Sequence, residues 1–164
     1  MTNPLPKEDM EHLKTLAGVN GWIDDITTLS AYLTEWRGLY SGNSALLLAP
    51  GNTKCAAEIV AYCAVKGIGI VPQGGNTGLA GGAIPGLSDG PAEIILSAAR
   101  LNKIHCIDAA NFTLTAGAGC ILSDLQEAAA QVERSFPLSL AAEGSCQIGG
   151  NLSTNAGGTN VLRF

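Results

Sequence analysis

A chain of 164 residues, 46% hydrophobic and only 14% charged, is long enough to bury its own core without metals or disulfides and too apolar to stay disordered. Its formal charge of -5 offers no basic surface for counterion release, which excludes nucleic acid as the expected partner. Phosphate-bearing small molecules stay compatible, because backbone N–H groups bind phosphate without lysine or arginine.

From Pro6 to Ala17, Met10, Leu13 and Leu16 recur at helical spacing among charges and Gly18 follows, which predicts a short amphipathic helix. No stretch from Met1 to Lys14 resembles a signal h-region or a membrane span, so a cytoplasmic protein is expected. Gly21 to Gly42 reads as irregular structure with one helical turn. Leu46, Leu47 and Leu48 form a short buried strand, Pro50 and Gly51 a turn, and Asn52 or Thr53 the cap of a helix running to Lys66. Its inward stripe is Cys55 or Ala56, Ile59, and Tyr62 or Cys63, with Gly67 in the left-handed position after it. A strand from Ile68 to Val71 follows and ends at Pro72, giving the order a parallel pair with a right-handed crossover requires.

Strands are next predicted over 93–97, 103–108 and 112–116, the last two joined as an antiparallel hairpin by Ala109, Ala110 and Asn111. Ser123 and Gln126 read as a capping box for a helix with apolar face Leu125, Ala128, Ala129 and Val132, ending near Arg134. The chain is thus mixed α and β, divided into an N-terminal helix and lead-in over 1–30 and a domain over 31–164. Its five cysteines show no C-x-x-C pair or metal-like spacing and are expected reduced and mostly buried.

Ten of the 21 glycines fall in two windows, Pro72 to Gly82 and Gly144 to Gly158, where average composition of roughly 7% would place about two. Both combine glycine with Asn, Thr and Ser. Glycine admits positive φ and lacks a Cβ, so successive amides can face one concavity while the backbone approaches an anion; the polar side chains add donors. Either window alone could be a tight turn without a ligand, but two in one chain point to a phosphate-rich one. No G-x-x-x-x-G-K-[ST] and no G-x-G-x-x-G after a strand occurs, which leaves a diphosphate held between two loops.

The windows are Gln73-Gly74-Gly75-Asn76-Thr77-Gly78-Leu79-Ala80-Gly81-Gly82 and Gly144-Ser145-Cys146-Gln147-Ile148-Gly149-Gly150-Asn151, with Thr154-Asn155-Ala156-Gly157-Gly158 after the second. Together with Leu96-Ser97-Ala98-Ala99-Arg100-Leu101-Asn102-Lys103-Ile104 and Phe136-Pro137-Leu138 they resemble the flavoenzyme family related to vanillyl-alcohol oxidase, in its D-2-hydroxyglutarate and D-lactate dehydrogenase branch. The resemblance runs from about Tyr32 to Phe164. It implies an α+β, PCMH-type FAD-binding domain of two small α/β subdomains, cut short at its C-terminal side, with the substrate domain absent. It also implies FAD contacts from Gly74, Gly75, Asn76, Thr77, Gly78 and Gly82 in the first loop and from Pro137, Gly144, Ser145, Gly149, Gly150, Thr154, Asn155 and Gly158 in the second.

The activity implied is oxidation of a D-2-hydroxy acid to the 2-oxo acid, with hydride passing to flavin N5. Relatives that attach FAD covalently through the first loop carry His where this chain has Asn76, so FAD is expected to be non-covalent. No catalytic residue and no metal ligand is assigned, the 164-residue chain alone is expected to be inactive, and an open apolar edge makes self-association an expectation.

Rival readings are a non-catalytic phosphate-binding module, or a sugar-lactone oxidase or cell-wall precursor reductase branch of the same family. Gly86-Leu87-Ser88-Asp89-Gly90 matches G-x-S-x-G but leads into a strand rather than the helix a nucleophile elbow needs. His105 is expected to be packed in a strand, His12 solvated, and Cys146 a small buried residue.

Overall fold

A computed structural model of the chain describes residues 3–163. Helix α1, Lys7–Ala17, forms on the predicted stripe, burying Leu13 and Ala17, and stops at Gly18, whose φ of 75 suits glycine. The stretch read as irregular contains strand β1, Trp22–Ile23, and the short helix α2, Ile26–Leu29, which Asp25 caps by accepting from Thr28 N–H. Periodicity could not reveal a two-residue strand. Strand β2, Leu47–Leu48, leads to α3, Thr53–Lys66, capped by Asn52 and ended by Gly67 in the left-handed region. Strands β3, Gly69–Gln73, and β4, Glu93–Ser97, complete a four-stranded sheet of order β1-β2-β4-β3.

The expected parallel relation of β2 and β3 holds, but β4 lies between them and pairs in parallel with both. Strand β3 continues through Pro72, opposite Leu96, where a strand end was expected. Proline is tolerated there because β3 is an edge strand. Period-two alternation divides the core: Leu46, Leu48 and Ile94 pack with Leu13, Ile59 and Cys63 beneath α1 and α3, whereas Leu47 and Ile95 pack with Leu29 and Leu33 on the opposite face. Burying each such side chain stabilises the fold by roughly 1.5–3 kcal/mol.

Beyond β4, strands β5, Ile104–Asp108, and β6, Thr113–Ala116, form the predicted antiparallel hairpin. Phe112, at φ 55, ends the turn. Helix α4, Leu122–Ala130, begins two residues earlier than the capping box required; its N-cap is Ile121, without a side-chain cap. Ser123 N–H instead donates to Glu143 O, and the Gln126 amide donates to Leu138 O. A long-range tie to the 138–143 segment has replaced the local cap. Cys120, Leu125 and Ile148 form a further core with Ile104, Leu114 and Phe136. The glycine windows therefore hang from different layers, the first from the four-stranded sheet and the second from the hairpin and α4.

Candidate cofactor-binding site

The first window starts where β3 ends. Among the described residues, no backbone N–H from Gly74 to Ala83 donates to a backbone or side-chain acceptor of the protein. A run of unsatisfied amides in ordered backbone is a site for an external acceptor. The ends of the run are fixed by Gln73, buried at 2% exposure, whose Nε2 donates to Tyr32 O at 2.9 Å and Ala83 O at 2.8 Å. Asn76, with positive φ of 51, donates from Nδ2 to Thr34 O at 2.9 Å.

The second window is not simply a loop. It contains helix α5, Ile148–Ser153, set by Ile148 N–H donating to Cys120 O and Gly149 N–H to Ala118 O. Glycine interiors hide a helix from propensity reasoning; the buried Ile148 and Asn151 supply its packing. Gly149 is required by Ala118, whose Cβ would stand 2.7 Å from a Cβ at that position.

The windows meet at Gly75, where an added Cβ would lie 1.9 Å from Ser145 O, and at Gly74, where it would lie 3.3 Å from Gln147 Cβ. This contact unites Gly74, Gly75, Ser145 and Gln147 in one seam. By contrast, a Cβ on Gly78, Gly82, Gly144 or Gly150 would meet nothing within 4 Å, so those positions line open space. Thr77 is half-buried and Ser145 exposed. The Thr154 hydroxyl is committed to Gly150 O at 2.9 Å, and Asn155 sits at φ 52. A Cβ on Gly158 would stand 1.9 Å from Ser139 O, and Pro137 O accepts from Asn160 Nδ2, so both expected residues are tied to neighbouring backbone of the 137–160 segment.

The buried side-chain oxygens without a partner among the described residues are Gln73 Oε1, Asn76 Oδ1, Gln147 Oε1 and Asn151 Oδ1. Every one lies in or beside a window. Buried acceptors normally find donors, and a ligand carrying an anion plus hydroxyl and N–H donors satisfies both these oxygens and the unbonded amides. The residues present therefore fit a dinucleotide with a diphosphate. Gln73, Gln147 and Asn151 were missed by sequence reasoning; their signal was an amide side chain within two residues of a glycine pair.

Electrostatics near the windows is mostly local capping. Glu35, 2% exposed, is held below the usual carboxylate range by the N–H of Arg37 and then of Leu39, despite the opposing effect of burial. Glu143 is lowered by the Ser139 hydroxyl and the Leu140 N–H, which makes it a turn cap rather than a base. Distinct hollows lie elsewhere: one of about 140 Å³ is walled by Phe112, Leu114, Arg134 and Phe136, and another of about 310 Å³ by Pro4, Asn43 and Glu93. The windows form an open seam rather than a closed cavity.

The rival signals lose their geometry. Gly86 has φ 71 and donates to the Glu93 carboxylate in irregular chain before β4, so Ser88 sits on no nucleophile elbow. Cys146 is buried and all five cysteines are free, with Cys55 partly buried and Cys106 exposed. His105 is exposed on β5 rather than packed, because its strand belongs to a two-stranded ribbon that leaves one face open. His12 is exposed and stacks on Tyr62 at 4.3 Å.

This fold and this pair of facing loops belong to a known class: residues 44–164 match the FAD binding domain family, and the chain is a member of it. FAD is the cofactor of that class. The chain is 39% identical over 160 residues to a mitochondrial D-2-hydroxyglutarate dehydrogenase of Arabidopsis thaliana, covering 98% of this chain and 28% of that one. It is 40% identical over 142 residues to the mitochondrial D-2-hydroxyglutarate dehydrogenase of Danio rerio, covering 87% and 26%. Against a D-2-hydroxyglutarate–pyruvate transhydrogenase of Saccharomyces cerevisiae the identity is 38% over 136 residues, covering 83% and 27%. The chain thus spans between about a quarter and a third of the length of these relatives.

Among solved structures, alkyldihydroxyacetonephosphate synthase superposes with a TM-score of 0.86 at 18% identity, covering 100% of this chain and 32% of that one. At that identity the likeness establishes the shared α+β fold. The expectation of a cytoplasmic protein is corrected: the Arabidopsis and Danio relatives are named as mitochondrial. The absence of a signal-like stretch in the first residues was no guide to compartment. Among the described residues, no helix is long and apolar enough to cross a membrane.

Proposed function

We propose that residues 31–164 cradle FAD across the seam of the two glycine windows, without a covalent link, in a dehydrogenase that oxidises a D-2-hydroxy acid of the 2-hydroxyglutarate or lactate type. The observation that carries this reading is the run of unbonded amides from Gly74 to Ala83 abutting Ser145 and Gln147. Those amides would bind the diphosphate, since backbone N–H groups in a glycine-rich turn hold anions without cationic side chains. Gly78, Gly82, Gly144 and Gly150 would keep open the space into which the cofactor lies. Gln73, Asn76, Gln147 and Asn151 would accept hydrogen bonds from its hydroxyl and N–H groups. Thr77, Ser145, Thr154, Asn155, Pro137, Gly149 and Gly158 complete the proposed contacts.

When bound, FAD supplies a hydride acceptor at flavin N5 for the hydrogen on the substrate α-carbon. The names of the relatives support the substrate class. No residue of this chain is given a catalytic role. Small D-2-hydroxy acids and FAD are the proposed partners, the former engaged through the whole protein. The test is dye reduction by the complete protein with D-2-hydroxyglutarate and with D-lactate, alongside FAD and FMN titrations of the apoprotein. FAD-dependent reduction with at least one of the two acids is expected. Tighter binding of FMN than FAD would sink the diphosphate reading, and a flavoprotein that reduces dye with neither acid would sink the substrate class.

A further inference from the structure

We propose that Arg37 is a positioning residue for the first glycine window, holding it in its cofactor-ready form through the Leu79 carbonyl. This inference rests on the FAD reading of that window, and it concerns a segment outside the 44–164 family match. Residues 32–41 form a small folded loop built around a buried carboxylate. Glu35 Oε2 accepts from Arg37 N–H and Oε1 from Leu39 N–H, both at 2.7 Å, while Glu35 N–H donates to Tyr40 O at 3.0 Å. Gly38, at φ 72, turns the tip, and the Thr34 and Ser41 hydroxyls meet at 3.0 Å across the base. The loop is therefore rigid by its own hydrogen bonds, without any ligand.

From this loop several ties reach the window. Tyr32 O and Thr34 O receive Gln73 and Asn76, the Tyr40 ring lies where a Cβ on Gly81 would stand 2.9 Å away, and Arg37 Nη2 donates to Leu79 O. The Arg37 contact is the one that reaches the middle of the unbonded run. In a trans peptide the N–H points opposite to the C=O, so fixing the Leu79 carbonyl also fixes the Ala80 N–H, which has no acceptor among the described residues. Glu35 Oε2 stands 3.8 Å from Arg37 Nε and orients the guanidinium. A loop of unbonded residues left free would have to be ordered by the ligand, which weakens binding; ordering it beforehand removes that loss.

The test compares wild type, Arg37→Met, which keeps the aliphatic stem without a donor, and Arg37→Lys, which restores one donor. Three readouts are taken: FAD affinity, its dependence on salt, and cleavage after Leu79 by a leucine-tolerant protease in the apoprotein. Arg37→Met is expected to bind FAD about tenfold more weakly, the equivalent of one lost charge-assisted hydrogen bond. It should be cut faster after Leu79 at an unchanged melting temperature, because side-chain exposure of 40% keeps Arg37 out of the core. Arg37→Lys should recover most of both losses.

Equal FAD affinity and equal cleavage in wild type and Arg37→Met overturn the proposal. So does a loss of affinity that comes with a weaker salt dependence and unchanged cleavage, which would make Arg37 a direct phosphate contact. Should Arg37→Met fail to fold, the Lys variant alone decides, since wild-type cleavage with tenfold weaker binding is incompatible with positioning. A wild-type protein that binds no FAD overturns the proposed function itself, and this inference with it.

Discussion

At the scale of single residues, the glycines separate into those needed by the protein and those left for a ligand. Gly75 belongs to the first kind: a Cβ there would run into Ser145 O at 1.9 Å, and backbone cannot yield as a flexible side chain would. Gly75→Ala should therefore force the windows apart and cost more than about 2 kcal/mol of stability together with flavin binding. Gly150 belongs to the second kind, since a Cβ there meets nothing within 4 Å and the residue lies inside α5. Gly150→Ala should stabilise the apoprotein by up to about 1 kcal/mol through helix propensity, yet lower flavin affinity. Urea unfolding of apoprotein beside a flavin titration reads both. Unchanged flavin affinity in Gly150→Ala would remove that residue from the site.

At the scale of elements, α1 is held to α3 by a polar clasp. The buried Asp9 carboxylate accepts from Tyr62 Oη at 2.6 Å and Lys66 Nζ at 2.9 Å. The Tyr62 hydroxyl, then Lys66, holds Asp9 below the usual carboxylate range, and Asp9 in turn raises Lys66. Burial pushes the neighbouring Cys63 thiol up to about 11, so it stays neutral. A lowered Asp9 contributes stability that is fully present above its unfolded value of about 3.9 and is lost as pH falls through the lower folded value. The raised Lys66 contributes below about 10.4 and loses its contribution as pH rises through the higher folded value. Asp9→Asn should accordingly lower the melting temperature at neutral pH, by a difference that shrinks as pH falls below the ordinary carboxylate range. A constant difference across that range would show that packing, not charge, holds α1.

At the scale of the whole molecule, the windows come from separate cores, so a ligand at the seam should tie the two together. FAD at about a hundredfold excess over its dissociation constant should stabilise the protein by about 2.7 kcal/mol, and the sheet and hairpin cores should then melt together. Circular dichroism with and without FAD measures this. FAD that raised the melting of one core and left the other unchanged would place the cofactor away from the seam. Asn76 points its Nδ2 at Thr34 O and has no chemistry for a flavin bond, so acid precipitation should leave all colour in the supernatant. Flavin retained in the pellet would contradict the non-covalent reading.

Much of this was legible in one dimension because it rests on local physics. Asn52 and Gly67 bracket α3 by cap chemistry, Leu46 to Leu48 and Ile94 to Ile95 declare strands by burying both faces, and glycine density marked both windows. Other features depended on partners distant in sequence. The two-residue β1 exists because Leu47 and Leu48 lie opposite it, α4 lacks its capping box because Ser123 and Gln126 bond the 138–143 segment, and α5 forms around glycines because Ala118 and Cys120 receive its first amides. By itself, then, the sequence determined the mixed α and β class, the ends of α1 and α3 and the positions of the two phosphate-suited loops, since dihedral preference and burial period act between near neighbours. Tertiary structure alone decided that β4 would enter between β2 and β3, that Gly75 would meet Ser145, and that Arg37 would hold Leu79. Those outcomes depend on close approach between segments tens of residues apart, which no local preference encodes.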